Sequence, residues 1–127
     1  MNARSPEQSL ADAVAKLVEQ TDWVTFMQVA RFLEQQGVPW RGDVNLSMAT
    51  DSNVLLWSGM SQQMSDVLVR LIDERRVFFH RSSVAAYHVH GGTLMLPLAG
   101  EPEEGGLQKP HWLPVALRAV PPPFALH

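Results

Sequence analysis

The residues best suited to chemistry are three histidines near the middle of the chain. His88 and His90 are separated by one residue, and His80 lies upstream of them. Residues i and i+2 of a β-strand share a face, so the three imidazoles would converge if His80 lay on the neighbouring strand. Three histidines and a water complete a zinc site. No carboxylate is placed to orient the rings, however, so we prefer histidines without a metal.

Other motifs for catalysis are missing from the sequence. The chain has no cysteine, which excludes thiolate nucleophiles, thiolate metal ligands and disulfides. The two glycine pairs, Gly91-Gly92 and Gly105-Gly106, lack the strand–helix context of a phosphate-binding loop. No serine lies in a strained nucleophile-elbow motif. We therefore expect a protein that is not an enzyme and needs no cofactor.

Length and composition predict one globular domain with an appended tail. The chain has 127 residues, of which 46% are hydrophobic, and single domains usually have about 100–150 residues. Residues 1–98 are the predicted domain, and residues 99–127 are an acidic linker followed by an apolar, proline-rich tail. No stretch reaches the ~18 apolar residues of a membrane span, and the first residues contain no apolar signal region. We expect a cytoplasmic protein without a membrane partner.

Capping residues and apolar periodicity predict three helices. The first, residues 6–20, begins with a serine cap and has a proline in its first turn. The second, residues 26–36, begins at Thr25, and Gln28 completes a capping box. The third, residues 60–75, carries a single apolar stripe. Gly37 is the predicted stop of the second helix, and Pro39 prevents the helix from continuing.

Alternating and apolar runs predict the strands. Residues 44–48 and 54–57 form a hairpin between the second and third helices. Residues 77–80 and 86–89 form a second hairpin after the third helix, and residues 93–96 form a further strand. The predicted fold class is therefore α+β.

The order of these elements, with the run LVRLIDERRV (residues 68–77) passing into a hairpin, resembles the winged-helix superfamily of bacterial regulators. The resemblance covers about two-thirds of the chain and concerns element order alone. It implies a three-helix winged-helix domain with a β-hairpin wing. An extra hairpin lies where a helix-turn-helix has a turn of about 3–4 residues. It also implies transcription regulation through double-stranded DNA, and we expect a homodimer.

The resemblance further implies that the third helix enters the major groove. Its solvent-facing residues would read bases, since glutamine pairs with adenine and arginine with guanine. An arginine at the wing tip would contact phosphate or the minor groove. The candidate nucleic-acid-binding residues are Gln62, Gln63, Ser65, Arg70, Arg81 and Arg41.

The charge of the chain favours a different partner. Ten basic residues stand against 13 acidic ones, a net charge of −3, whereas DNA-binding domains usually have a basic excess. Asp66 and Asp73 share the exposed sector of the third helix. The alternative is a winged-helix module that binds protein within a larger complex and has little or no affinity for nucleic acid.

Two further expectations concern the aromatic residues and the tail. Trp40 is the exposed candidate for stacking on single-stranded nucleic acid, whereas Trp23 and Trp57 are expected in the core. Residues 110–120 carry too much apolar surface to remain in water. We predict that they are ordered, either as a strand on their own domain or across a dimer interface, with Pro114 at a sheet edge.

Overall fold

The computed structural model describes residues 5–100 and 106–123 and shows a mixed α+β fold. The predicted α+β class is confirmed. Of the predicted acidic linker, residues 100–106, residues 101–105 lie outside the described residues. None of the described helices is long and apolar enough to cross a bilayer. The elements in chain order are α1 (Pro6–Thr21), α2 (Phe26–Gln35), β1 (Arg41–Met48), β2 (Asp51–Met60), α3 (Gln62–Asp73), β3 (Phe78–Arg81), α4 (Val84–Val89), β4 (His111–Trp112) and β5 (Val115–Arg118).

Side-chain caps begin the three predicted helices, which are all confirmed. The Ser5 hydroxyl accepts from the Gln8 N–H, and Thr25 and Gln28 form the reciprocal capping box of α2. α3 is shorter than predicted, because Ser61 is its N-cap and the backbone leaves the helix before Arg75, whose φ is +56°. Local hydrogen bonding therefore fixes where each helix starts.

The predicted hairpin between α2 and α3 is confirmed as β1 and β2, the first two strands of a three-stranded sheet. β1 and β2 pair antiparallel with several irregularities, and β4 joins β2 in parallel. At Gly42 the two strands approach closely, since an added Cβ would lie 2.5 Å from the Met60 carbonyl oxygen. Only glycine fits at this crossing.

The second sheet has two strands, β3 and β5, and β5 comes from the tail. β5 pairs antiparallel with β3, and two hydrogen bonds join Leu117 to Val24 in the connection between α1 and α2. Pro114 lies between the short strands β4 and β5. The prediction that residues 110–120 are ordered on their own domain is confirmed, because Trp112, Leu113, Val115 and Leu117 are all buried in the core.

The predicted wing hairpin between residues 77–80 and 86–89 is wrong. Residues 84–89 form α4, capped by the Ser83 hydroxyl, and the strand that pairs with β3 is β5. Residues 93–96 are not a strand either. Periodicity alone cannot separate a short apolar run in a helix from one in a strand. As a helix, the segment buries Tyr87 and leaves His88 and Val89 exposed.

Tyr87 connects three parts of the fold from the centre of the core. Its hydroxyl donates to the Val115 carbonyl of β5 and accepts from the Phe26 N–H at the start of α2. Its ring centroid lies 5.2 Å from that of Trp57 and 5.0 Å from that of Trp112. Burial raises the pKa of the Tyr87 phenol, so the group stays protonated and can donate.

We expect Tyr87→Phe to lower the free energy of unfolding by about 1–3 kcal/mol, because it leaves a buried carbonyl and a buried N–H without their partner. Urea denaturation measures the change. Val89→Ala is the matched control on the exposed side of α4, with an expected effect within about 0.5 kcal/mol. Equal effects of the two substitutions would contradict this role for the hydroxyl.

Candidate functional site

The outward face of α3 is the candidate functional site. Its other side packs in the core, where four apolar side chains are buried: Met64, Val67, Leu68 and Leu71. Ser61, the N-cap of α3, fixes the start of the helix to the loop that precedes β1. Its N–H donates to the Trp40 carbonyl at 2.7 Å and its hydroxyl to the Pro39 carbonyl at 2.8 Å. The position of α3 is therefore fixed both by its contacts with the core and by the hydrogen bonds at its N-terminus.

The three polar residues proposed as base-reading at the start of α3 differ in their exposure to solvent. Gln62 and Gln63 are exposed, and the Gln62 amide donates to the Asp66 carboxylate at 2.7 Å. Ser65 is only 7% exposed, so the expectation that it faces solvent is wrong. The helix turns Ser65 toward the core beside Met64, whereas its neighbour Asp66 remains in solvent.

Arg70 is engaged by α1. One guanidinium nitrogen donates to the Gln8 side-chain oxygen at 2.6 Å, and another lies 3.1 Å from the Glu7 carboxylate. These contacts hold the guanidinium against a carboxylate, so its positive charge is largely neutralised for an incoming ligand. Arg70 therefore contributes less positive potential than the sequence suggests.

A second ion pair joins α1 to the residues that follow α3. Arg76 donates to Asp12 at 2.7 Å and lies 3.6 Å from Glu74. The hydrogen bond with Asp12 raises the pKa of Arg76. Arg70 and Arg76 are thus directed to carboxylates of this chain, whereas Arg75 between them is exposed.

The remaining two candidates, Arg41 and Arg81, lie in different sheets. Arg41 begins β1 beside the N-terminus of α3, and its guanidinium carbon lies 4.8 Å from the ring centroid of the half-buried Trp40. Arg81 ends β3, where it pairs with Val115 of β5. The structure therefore brings Arg41 near Gln62 and Gln63, while Arg81 belongs to the β3–β5 sheet.

A groove extends along α3, and we call it the α1–α3 groove. Its first part, about 620 Å³, lies between the start of α1 and α3 and is lined by apolar Leu10, Val38 and Val67. Its second part, about 560 Å³, continues past Val69. Both parts share Glu7 and Asp66, so they form one continuous surface.

The groove is acidic. Among the described residues, four carboxylates line it, Glu7, Asp66, Asp73 and Glu74, against the guanidinium of Arg70, which gives these residues a net charge of −3. Glu7 and Glu74 each contact an arginine. Within residues 5–100 and 106–123, Asp66 and Asp73 form no ion pair. The sequence pattern pointed to both aspartates, but the pairing of Arg70 with Glu7 depends on how α1 packs.

The three histidines do not converge. His80 is buried in β3, where Nε2 donates to the Val120 carbonyl at 2.6 Å. His88 lies on α4 and His90 caps its end, so the strand geometry that would have gathered the imidazoles does not exist. In the described part of the chain, no group of three or more His, Cys, Asp or Glu side chains is placed to hold a metal ion.

Trp23 is a surface feature that the sequence analysis missed. Trp57 is in the core as predicted, but the same prediction for Trp23 is wrong, because its side chain is 49% exposed. Asp22 and Trp23 both have positive φ, +60° and +48°, which turns the chain sharply after α1. The Arg118 guanidinium carbon lies 4.5 Å from the Trp23 ring centroid and its nitrogens contact the Asp22 carboxylate.

No protein-family model, curated protein or solved structure matches the chain. The candidate site is therefore interpreted from its own geometry and charge. Its strongest property is an acidic, partly apolar groove on a helix that the fold holds in place.

The Asp22–Arg118 contact predicts a specific pH dependence. The hydrogen bond from Arg118 lowers the pKa of Asp22, so the stabilisation is present above the ordinary carboxylate pKa of about 4 and is lost as the pH falls through the lowered value. We expect Asp22→Asn to destabilise the protein at neutral pH and to match the unsubstituted chain in acid. Denaturant unfolding at several pH values measures this difference.

Asp43→Asn is the control for this experiment, since Asp43 is an exposed carboxylate of β1. It should change stability little at any of these pH values. A destabilisation by Asp22→Asn that is the same at neutral and acid pH would show that the charge of Asp22 is not its cause.

Proposed function

We propose that this chain is a non-enzymatic winged-helix module that binds a protein partner through the outward face of α3. The observation that carries the proposal is the charge of that face. Asp66 and Asp73 point into the groove, and Arg70, the one cation among its described lining residues, is held by Glu7 and Gln8. A protein surface of opposite charge suits this arrangement better than a polyanion does.

The connectivity supports the winged-helix part of the proposal. Three helices precede the antiparallel pair β3 and β5, and Val24, between the first two helices, bridges β5 on its other side. The pair after the third helix takes the place of the wing. Two insertions distinguish this chain: the β1–β2 hairpin before α3, and the segment between β3 and β5 that carries α4 and β4.

Repulsion of phosphate is the physical reason for preferring protein to DNA. Binding to DNA gains much of its free energy when Lys and Arg replace the counterions condensed on the backbone. A helix inserted in the major groove would instead bring the carboxylates of Asp66, Asp73 and Glu74 close to the phosphates. The exposed Arg75, which follows Glu74, would oppose only part of this repulsion.

DNA binding and transcription regulation are the second candidate function. The observation in its favour is that Arg41 and the exposed Gln62 and Gln63 lie near one another at the N-terminus of α3. Residues at the start of a recognition helix are the ones that usually contact base edges. In this candidate function Arg81 contacts phosphate from the β3–β5 sheet.

A salt titration with a labelled mixed-sequence duplex separates the two functions. We expect weak binding that hardly changes between about 50 and 200 mM salt, because few phosphates are neutralised. Fluorescence anisotropy on the whole chain measures the slope. Arg41→Ala and Arg81→Ala should leave it unchanged.

Salt-dependent binding of the duplex would be the opposite result. Tight binding whose logarithm falls steeply with the logarithm of salt, and a slope reduced by about one unit in each arginine variant, would establish DNA as the partner and reject our proposal. Gln62→Ala would then relax sequence preference without changing the slope.

A further inference from the structure

We infer that the α1–α3 groove binds a cationic segment of a partner protein, with one aliphatic side chain inserted between flanking Lys or Arg residues. This inference rests on the proposed function and specifies the chemistry of the partner. It follows from two properties of the groove, the order of side chains along α3 and the apolar lining between α1 and α3.

The order along α3 is carboxylate, aliphatic, carboxylate. Asp66, Val69 and Asp73 are spaced i, i+3 and i+7, which places them on one face of the helix. At 1.5 Å rise per residue the two carboxylates are about 10 Å apart along the axis. Val69 lies between them and is 41% exposed. The complementary sequence is therefore cation, aliphatic, cation.

The first part of the groove, whose lining does not include Val69, gives a second aliphatic side chain of the same segment a place to be buried. Leu10 of α1, Val38 of the loop before β1, and Val67 of α3 line it. Glu7 and Asp66 stand where this part meets the second part of the groove. An inserted Leu or Ile would thus gain apolar contacts while a neighbouring cation meets a carboxylate.

The same charges disfavour other occupants. Nucleic acids and anionic lipid surfaces both carry dense negative charge and would be repelled by Asp66 and Asp73. An acidic peptide meets the same repulsion, since Arg70 is already held by Glu7. A cationic segment is the occupant whose charge complements the groove.

The probe is a synthetic amphipathic peptide of Lys and Leu, titrated into the whole chain by calorimetry. Two companion peptides test its chemistry: one with every Lys replaced by Glu, and one with every Leu replaced by Ser. We expect the Lys/Leu peptide to bind, with an affinity that weakens as salt is added. The Glu peptide should not bind, and the Ser peptide should bind more weakly.

Variants of the chain locate the binding. Replacing both aspartates (Asp66→Lys with Asp73→Lys) should weaken the Lys/Leu peptide by about tenfold, because it reverses the charges that meet the cations. The matched control, Glu19→Lys with Asp43→Lys, makes the same change in net charge at exposed sites outside the groove. Val69→Ser should weaken binding severalfold. Circular dichroism and melting curves verify that each variant is folded.

The outcomes distinguish this inference from the proposed function. Equal losses in the aspartate variant and its control, or equal binding of the Glu and Lys peptides, would overturn the cationic occupant. No binding of any peptide, together with flat salt dependence for DNA, would overturn this inference and leave the protein-binding module standing. Steep, arginine-dependent DNA binding would overturn both.

Discussion

The hydroxyl of Tyr87 provides the contact on which the arrangement of the fold depends. It joins the Phe26 N–H at the start of α2 to the Val115 carbonyl of β5, and its ring packs against Trp57 and Trp112. β5 is thereby held between β3 and Val24. β5 thus joins the connection after α1 to β3, the strand that follows α3. The position of α3 in the fold depends on this arrangement.

Ion pairs then determine the charge on that face. Arg70 and Arg76 tie α3 and the residues after it to Glu7 and Asp12 of α1. Partly exposed pairs of this kind add little to stability, typically less than about 1 kcal/mol each. Their larger effect is electrostatic, because they pair the charges of Arg70 and Arg76 within the chain, whereas Asp66 and Asp73 form no ion pair among the described residues.

The sequence predicts the parts of the fold that depend on local interactions. The helix caps at Ser5 and Thr25 are short-range hydrogen bonds, and the β1–β2 hairpin joins neighbouring segments, so both can be recognised from the residues themselves. The strand pair after α3 could not be predicted in the same way. The partner of β3 comes from residues 115–118, beyond the end of α4, and no local pattern specifies that pairing.

In the candidate site, too, the features that depend on local sequence could be predicted and those that depend on long-range packing could not. The exposure of Gln62 and Asp66 follows from helical periodicity, and the structure agrees with both. The neutralisation of Arg70 requires the packing of α1 against α3, which joins residues far apart in sequence. The outward position of Trp23 depends on a rare backbone conformation at two consecutive residues without glycine, which the residue types do not indicate.

On the proposed function, the α3 face meets a cationic protein segment and not nucleic acid. Backbone amide shifts of the isotope-labelled chain, recorded with the Lys/Leu peptide and with duplex DNA at the same salt concentration, distinguish the two partners. We expect the peptide to shift the amides of Leu10, Val67 and Val69, while the duplex shifts none of them. Shifts at Gln62, Gln63 and Arg81 caused by the duplex alone would contradict it.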